Sequence, residues 1–146
     1  MFSFVVESER VVIDAPAESV WNIILDAEHY PEWNPFTPRI DTDFVPGSPI
    51  RMHVPLGSLT LKLTEYIQEV EPPLRIAWGK DFGARVLLTA SKTQHVTPIN
   101  DKTCSYYTTD RMTGLLAPFV RLLFARWVLR GFDDTGRALK QRCEAP

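Results

Sequence analysis

Residues 114–144 read GLLAPFVRLLFARWVLRGFDDTGRALKQRCE, and the way this run folds decides how the rest of the chain must be arranged. Pro118, near its start, is the strong breaker. Gly131 and Gly136 each cost about 1 kcal/mol relative to alanine and are tolerable inside a long helix. The run therefore predicts a C-terminal helix of about 25 residues. Projected at ~100° per residue, Arg121 falls in line with Ala125, Val128, Phe132, Thr135 and Leu139, while Arg126, Arg130, Asp133, Arg137 and Lys140 gather opposite. A second apolar stripe, Leu116, Phe119, Leu123 and Trp127, shares the first half of the helix. More than a sheet must cover it: the Tyr30–Ile40 segment, a second copy of the chain in a homodimer, or a membrane surface.

Before that helix the period of the sequence is different. Phe4 to Ile13 is rich in Val and aromatics and reads as a first strand, ended by Asp14-Ala15-Pro16. Val20, Ile23, Ile24 and Ala27 then recur at helical spacing, which predicts a helix from Ala17 to about Ala27. Prolines at 31, 35 and 38 leave room for at most one further helical turn, around Pro31 to Trp33. Between Arg39 and Thr113 turn signals recur about every ten residues (Pro46-Gly47, Pro55-Leu56-Gly57, Pro72-Pro73, Asp81-Phe82-Gly83, Pro98-Ile99-Asn100-Asp101), with no helical pattern between them. That predicts about six antiparallel strands, seven with the first. The long helix alone can cover the concave face of such a sheet. The expected fold is α+β: a seven-stranded antiparallel curved sheet wrapped around a long C-terminal helix, with two short helices after strand 1.

At 146 residues, 45% hydrophobic and 23% charged, the chain suits a single domain, residues 1–146. A net charge of -2, with no block of Lys or Arg, speaks against nucleic acid as a partner. MFSFVVESERVVIDAP lacks the charge and apolar pattern of a secretory signal, so a cytoplasmic location is expected. Arg121 and Arg126 interrupt the apolar region Leu115–Leu129, which argues against stable membrane insertion. Cys104 and Cys143 read as free thiols, and His29, His53 and His95 are not spaced as a metal pair, so no metal is expected. No Gly-x-Ser-x-Gly elbow, phosphate-cradling glycine loop or dinucleotide fingerprint is present, so no organic cofactor is expected either. Any catalysis must come from the interior of the fold.

Strand alternation says which side chains reach that interior. Around Arg85–Thr97 the even positions Val86, Leu88, Ala90, Lys92, Gln94 and Val96 are the more apolar set; in Thr103–Thr113 the even set is Cys104, Tyr106, Thr108, Asp110 and Met112. Both even sets should face the helix. That puts Lys92, Gln94, Tyr106, Thr108 and Asp110 on apolar faces, where an unpaired buried charge costs several kcal/mol. Either a ligand-lined, partly wet cavity accounts for them, or bulges and strand ends bring them to solvent. Arg121, on the core stripe of the last helix, either pairs with Asp110, binds a ligand oxygen as a planar fork of donors, or snorkels to the surface.

VVIDAPAESVWNIILDAEHYPEWNPFTPRI, RIAWG, DRMTGLL and LKQRCE together resemble the SRPBCC superfamily, and more narrowly the polyketide cyclase/dehydrase branch of the START-like, helix-grip proteins. The likeness runs from about Phe4 to Glu144. Related sequences tend to carry His and Glu on the strand leading into the last helix, where this chain has Thr108 and Asp110. The resemblance implies a helix-grip fold and a small hydrophobic ligand, with secondary metabolism or lipid binding as the setting. It leaves two readings open. In one, the chain is a cyclase, dehydratase or isomerase of a polyketide-like compound: Asp110 is the general base, Arg121 and Lys92 stabilise enolate charge, and Tyr106 or Thr108 donates a hydrogen bond. In the other it is a carrier or sensor of a hydrophobic metabolite. Either way Trp33, Trp78, Gln94, Tyr106, Thr108, Met112, Ala125 and Val128 are the expected ligand contacts. Tyr30, Trp33 and Phe36 are expected to close one end of the cavity, over the amino-terminal half of the last helix.

Overall fold

The computed structural model describes residues 2–146. Strands β1 (Ser3–Glu7) and β2 (Val11–Ile13) are followed by helix α1 (Ala17–Ile24) and a 3-10 helix (Ala27–Glu32). Six more strands come next: β3 (Arg39–Asp41), β4 (Pro49–Leu56), β5 (Leu59–Glu71), β6 (Arg75–Asp81), β7 (Thr89–Asn100) and β8 (Thr103–Thr113). Helix α2 (Ala117–Glu144) ends the chain. The strands form one antiparallel sheet in the order β1-β8-β7-β6-β5-β4-β3, with β2 also paired to β8. It is the curved sheet and long final helix expected from the residue periods, with eight strands rather than seven.

The extra strand arises because the expected first strand breaks. Glu7 pairs with Thr109 and Val11 with Tyr106, so Ser8, Glu9 and Arg10 lie opposite Tyr107 and Thr108 alone. The surplus residue is accommodated by the Ser8 hydroxyl, which accepts a hydrogen bond from the Thr108 backbone N–H at 2.8 Å while the Ser8 N–H donates to Thr108 O at 2.9 Å. Such an insertion bends a strand. Here the bend brings the Glu9 N–H to the Asp133 carboxylate of α2, at 2.9 Å.

α1 buries Ala17, Val20, Trp21 and Ile24 and then tightens into the 3-10 turn, where the Tyr30 hydroxyl donates to Ile24 O at 2.6 Å. The even positions of β7 and β8 do face inward from Ala90 to Val96 and from Cys104 to Met112. A dense core of Ile13, Val20, Ile24, Ile76, Val96 and Leu139 fills the space beneath the carboxyl-terminal half of α2. That half buries Gly131, Phe132, Thr135, Gly136 and Leu139. The first half does not settle into the core: Phe119, Leu122 and Leu123 are 62%, 83% and 69% exposed. Among the described residues no helix is long and apolar enough to cross a membrane.

Candidate functional site

Because α2 fits tightly against the sheet only at one end, a cavity of about 250 Å³ remains under its other end. Trp78, Ala90 and Met112 line it from the sheet; Val120, Phe124 and Val128 line it from α2. Phe36 and Phe132 close it toward the dense core. Against these apolar walls stand three ionisable groups, Glu65, Lys92 and Asp110.

The sheet register places them together. Val6, Asp110, Lys92, Trp78 and Ile67 form one cross-strand row over β1, β8, β7, β6 and β5. Directly paired residues share a face with their Cβ atoms ~5 Å apart. Glu65 lies on β5 two residues before Ile67, so it shares that face too. Asp110 is 9% exposed, and its Oδ1 is buried with no hydrogen-bond partner. Burial, reinforced by the nearby Glu65 carboxylate and opposed by Lys92, raises its pKa to about 7. Glu65, equally buried, is raised above the usual glutamate range, chiefly by burial, with Lys92 and Lys80 acting in the opposite direction. Lys92 is half-buried, and the surface it retains faces the cavity. Burial lowers its pKa to about 8 against the pull of Asp110 and Glu65. It forms no salt bridge among the described residues. Its ammonium instead lies over two rings, 5.0 Å from the centroid of Trp78 and 5.1 Å from that of Phe132. A carboxyl that titrates near neutrality beside an amine that does so just above it can give or take a proton at physiological pH.

Of the residues singled out from the sequence, Lys92, Asp110, Trp78, Met112 and Val128 line this cavity. Gln94, Tyr106 and Thr108 do not. They face inward but lie further along β7 and β8, where the core is closed. The Tyr106 hydroxyl donates to Gln94 Oε1 at 2.6 Å and accepts from Thr108 Oγ1 at 3.1 Å, so the three side-chain oxygens bond to one another. Burial raises the Tyr106 pKa, as expected of a phenol that stays protonated. Each two-residue step along a strand advances ~6.6 Å, enough to pass from cavity to packed core. Arg121 is exposed and does not reach Asp110, and Ala125 is half-buried outside the lining. In this stretch α2 meets the cavity through Val120, Phe124, Trp127 and Val128, and residues at the flank meet solvent. Trp33 packs edge-on to Tyr30, with ring centroids 5.0 Å apart, against the core rather than the cavity.

Glu65 is the ionisable member of the cavity that the sequence reading did not single out, whereas Phe36 was expected at its closed end. Glu65 carried a legible signal: Leu61, Leu63, Glu65 and Ile67 alternate on one face of β5, and a lone charge interrupts that apolar set. Phe36 is fixed by Asn34, whose side-chain oxygen accepts from the backbone N–H groups of Phe36 at 3.0 Å and Thr37 at 2.9 Å. Its ring meets Trp127 and Phe132 edge-on, at 5.2 and 5.7 Å. Of the three aromatics expected to form a lid, Phe36 is thus the one seated on the last helix. The absence of a side chain at Gly131 makes this seat possible, since a Cβ there would stand 2.3 Å from the Phe36 ring. Gly131→Ala is expected to push Phe36 out and cost ~2 kcal/mol, read as a lowered urea midpoint. An unchanged midpoint would show that the ring yields freely.

Residues 3–144 match the family model described as polyketide cyclase / dehydrase and lipid transport. No curated protein matches the sequence. Among solved structures, the Zhui aromatase/cyclase from Streptomyces sp. R1128 aligns with a TM-score of 0.79 at 18% identity, covering 98% of this chain and 94% of that one. A truncated norcoclaurine synthase from Thalictrum flavum aligns at 0.74 and 15% identity, covering 99% and 96%. A START superfamily protein from Mycobacterium smegmatis aligns at 0.70 and 17%, covering 96% and 97%. At such identities the likeness establishes the fold.

Proposed function

Because this chain belongs to the polyketide cyclase / dehydrase and lipid transport family, we propose that it encloses one small hydrophobic molecule bearing a carbonyl group and catalyses proton transfer on it, leading to cyclisation, dehydration or isomerisation. The observation that carries this reading is the Asp110 carboxyl: buried, with one oxygen unpartnered, in a cavity wall whose other polar residues are Lys92, Glu65 and Thr37. A protein that only needed a stable core would leave no such group there.

In this mechanism the Asp110 carboxylate removes a proton from the carbon next to the carbonyl, and the Lys92 ammonium stabilises the negative charge that develops on the oxygen. Glu65, held toward its protonated form, then supplies a proton to a departing hydroxyl or to the ring-closing oxygen. The apolar walls exclude water and strengthen each of these interactions. Two similar proteins support the ligand class. One is described as an aromatase/cyclase, and a norcoclaurine synthase structure holds dopamine and hydroxybenzaldehyde, the latter a carbonyl compound. A non-catalytic carrier of a hydrophobic metabolite would use the same cavity without the proton transfers.

The cavity itself is tested with a neutral fluorescent molecule, N-phenyl-1-naphthylamine. It is expected to bind saturably at one per chain, and Val128→Trp, which fills the lining from α2, is expected to weaken binding at least ~10-fold, the loss of about 1.4 kcal/mol. Binding of many molecules per chain, or affinity indifferent to Val128→Trp with the fold intact, would overturn the cavity reading.

A further inference from the structure

Lys92 is the one lysine among the described residues that line the cavity. Its amine projects from the middle of the cross-strand row into the cavity, lies over ring faces rather than against a carboxylate, and has acid groups on two sides: Asp110, its direct strand partner, and Glu65. A primary amine free of a salt bridge, walled by aromatics and adjacent to a proton donor, meets the requirements for covalent capture of a carbonyl. Resting on the reading of the cavity given above, we propose that Lys92 forms an imine with an aldehyde or ketone ligand, so that the acid–base chemistry proceeds on a covalently held substrate.

The lone pair of the neutral Lys92 Nζ adds to the carbonyl carbon, and a proton passes from nitrogen to oxygen to give a carbinolamine. The Asp110 carboxyl donates a proton to the new hydroxyl, which leaves as water while the nitrogen lone pair closes the C=N bond. One amine, one carbonyl and the Asp110 proton become one iminium and one water: the Asp110 proton leaves in the water, the hydrogen on nitrogen is one the amine already held, Asp110 is left as the carboxylate, and nothing is oxidised or reduced. The iminium keeps the positive charge that the faces of Trp78 and Phe132 already accommodate. It also draws electrons from the neighbouring C–H bond, whose proton the Asp110 carboxylate is then placed to take. Capture needs the uncharged amine. With its pKa lowered from 10.5 to about 8, Lys92 carries a free-amine fraction at neutral pH more than ~100-fold above that of an ordinary lysine.

The test uses the whole wild-type chain with cinnamaldehyde and sodium cyanoborohydride at pH 7, the borohydride reducing any imine to a stable amine. The chain has five lysines, four of them outside the cavity: Lys62, Lys80, Lys102 and Lys140. Intact mass is expected to show one reduced adduct per chain, and peptide mapping to place it on Lys92 with at least ~10-fold preference over any other lysine. Excess N-phenyl-1-naphthylamine should suppress it. Lys92→Arg should abolish it, and Asp110→Asn should slow it at least ~10-fold. If the naphthylamine binds one per chain but adducts spread evenly over surface lysines, the imine is excluded and the cavity reading stands. If neither binding nor a Lys92 adduct is seen, both fall.

Discussion

Asp110→Asn is expected to lower turnover of a carbonyl substrate by ~10²- to 10⁴-fold, the usual worth of a positioned acid–base group, with affinity for N-phenyl-1-naphthylamine changed by no more than roughly threefold. The same substitution should remove most of the pH dependence of stability below neutrality. In the unfolded chain an aspartate titrates near ~3.9, whereas burial raises Asp110 to about 7 in the fold. Below both values the residue is protonated in either state. Between them the unfolded chain has released the proton that the folded chain still holds, so stability falls as pH rises from about 4 to 7 and the full cost is present above that. Glu65, raised in the same direction, adds to the fall. Lys92 gives a second limb of opposite slope. Its pKa is lowered to about 8, so between there and the unfolded value of ~10.4 the unfolded chain holds the extra proton and stability rises with pH. The cavity groups together therefore place a minimum of stability near pH 7 to 8. Asp110→Asn removes Asp110's share of the acid limb and leaves that of Glu65, a change on the order of 3 kcal/mol in the difference between pH 4 and pH 8. Urea unfolding at pH 4, 7.5 and 10 reads both limbs. Retention of the wild-type slope between pH 4 and 7.5 would mean that Asp110 is not the buried acid responsible, and retention of turnover would remove it from the mechanism.

That the acid and the amine both face the interior was legible in the chain, because a two-residue period fixes which side of a sheet a residue faces; that they are direct strand partners came from the register. Lys92 and Asp110 were visible as charges within apolar sets, and Glu65 sits in such a set as well. Period does not fix depth. Gln94, Tyr106 and Thr108 belong to the same faces but lie outside the cavity lining, where the core has closed, and hydrogen-bond to one another. Helical projection has the matching weakness. It put Arg121 in line with Phe132 and Leu139, yet the wall those two residues meet does not extend over the first turns of α2, and Arg121 is left in solvent. The break between β1 and β2 had no signal in hydrophobicity, since it depends on the Ser8 hydroxyl standing in for strand pairing with Thr108. Long-range features of this kind emerge only when elements far apart in sequence meet.

Gly79→Ala is expected to be the most damaging small substitution in the sheet. Gly79 lies in β6 between Trp78 and Lys80, and a Cβ added there would stand 2.0 Å from the carbonyl oxygen of Ala90 and 2.9 Å from the Cα of Ser91. Both atoms are backbone, so no rotamer change relieves the contact, in contrast to the Phe36 ring at Gly131. β6 and β7 would have to separate where Trp78 pairs with Lys92 and Gly79 with Ser91. That is the seam carrying the Lys92 amine and two other cavity-lining residues, Trp78 and Ala90. The loss should reach ~3 kcal/mol, the upper end of overpacking costs, and binding of N-phenyl-1-naphthylamine should weaken even in the fraction that stays folded. Gly57→Ala is the control: its φ of +61° strains an alanine, but no atom lies within 4 Å, so its cost should stay at ~1 kcal/mol and binding should be unaffected. Urea midpoints for the two variants, measured beside wild type, should differ by the remainder. Equal midpoints would mean that β6 and β7 can part locally at little cost, and that the row joining Trp78, Lys92 and Asp110 is looser than the strand register implies.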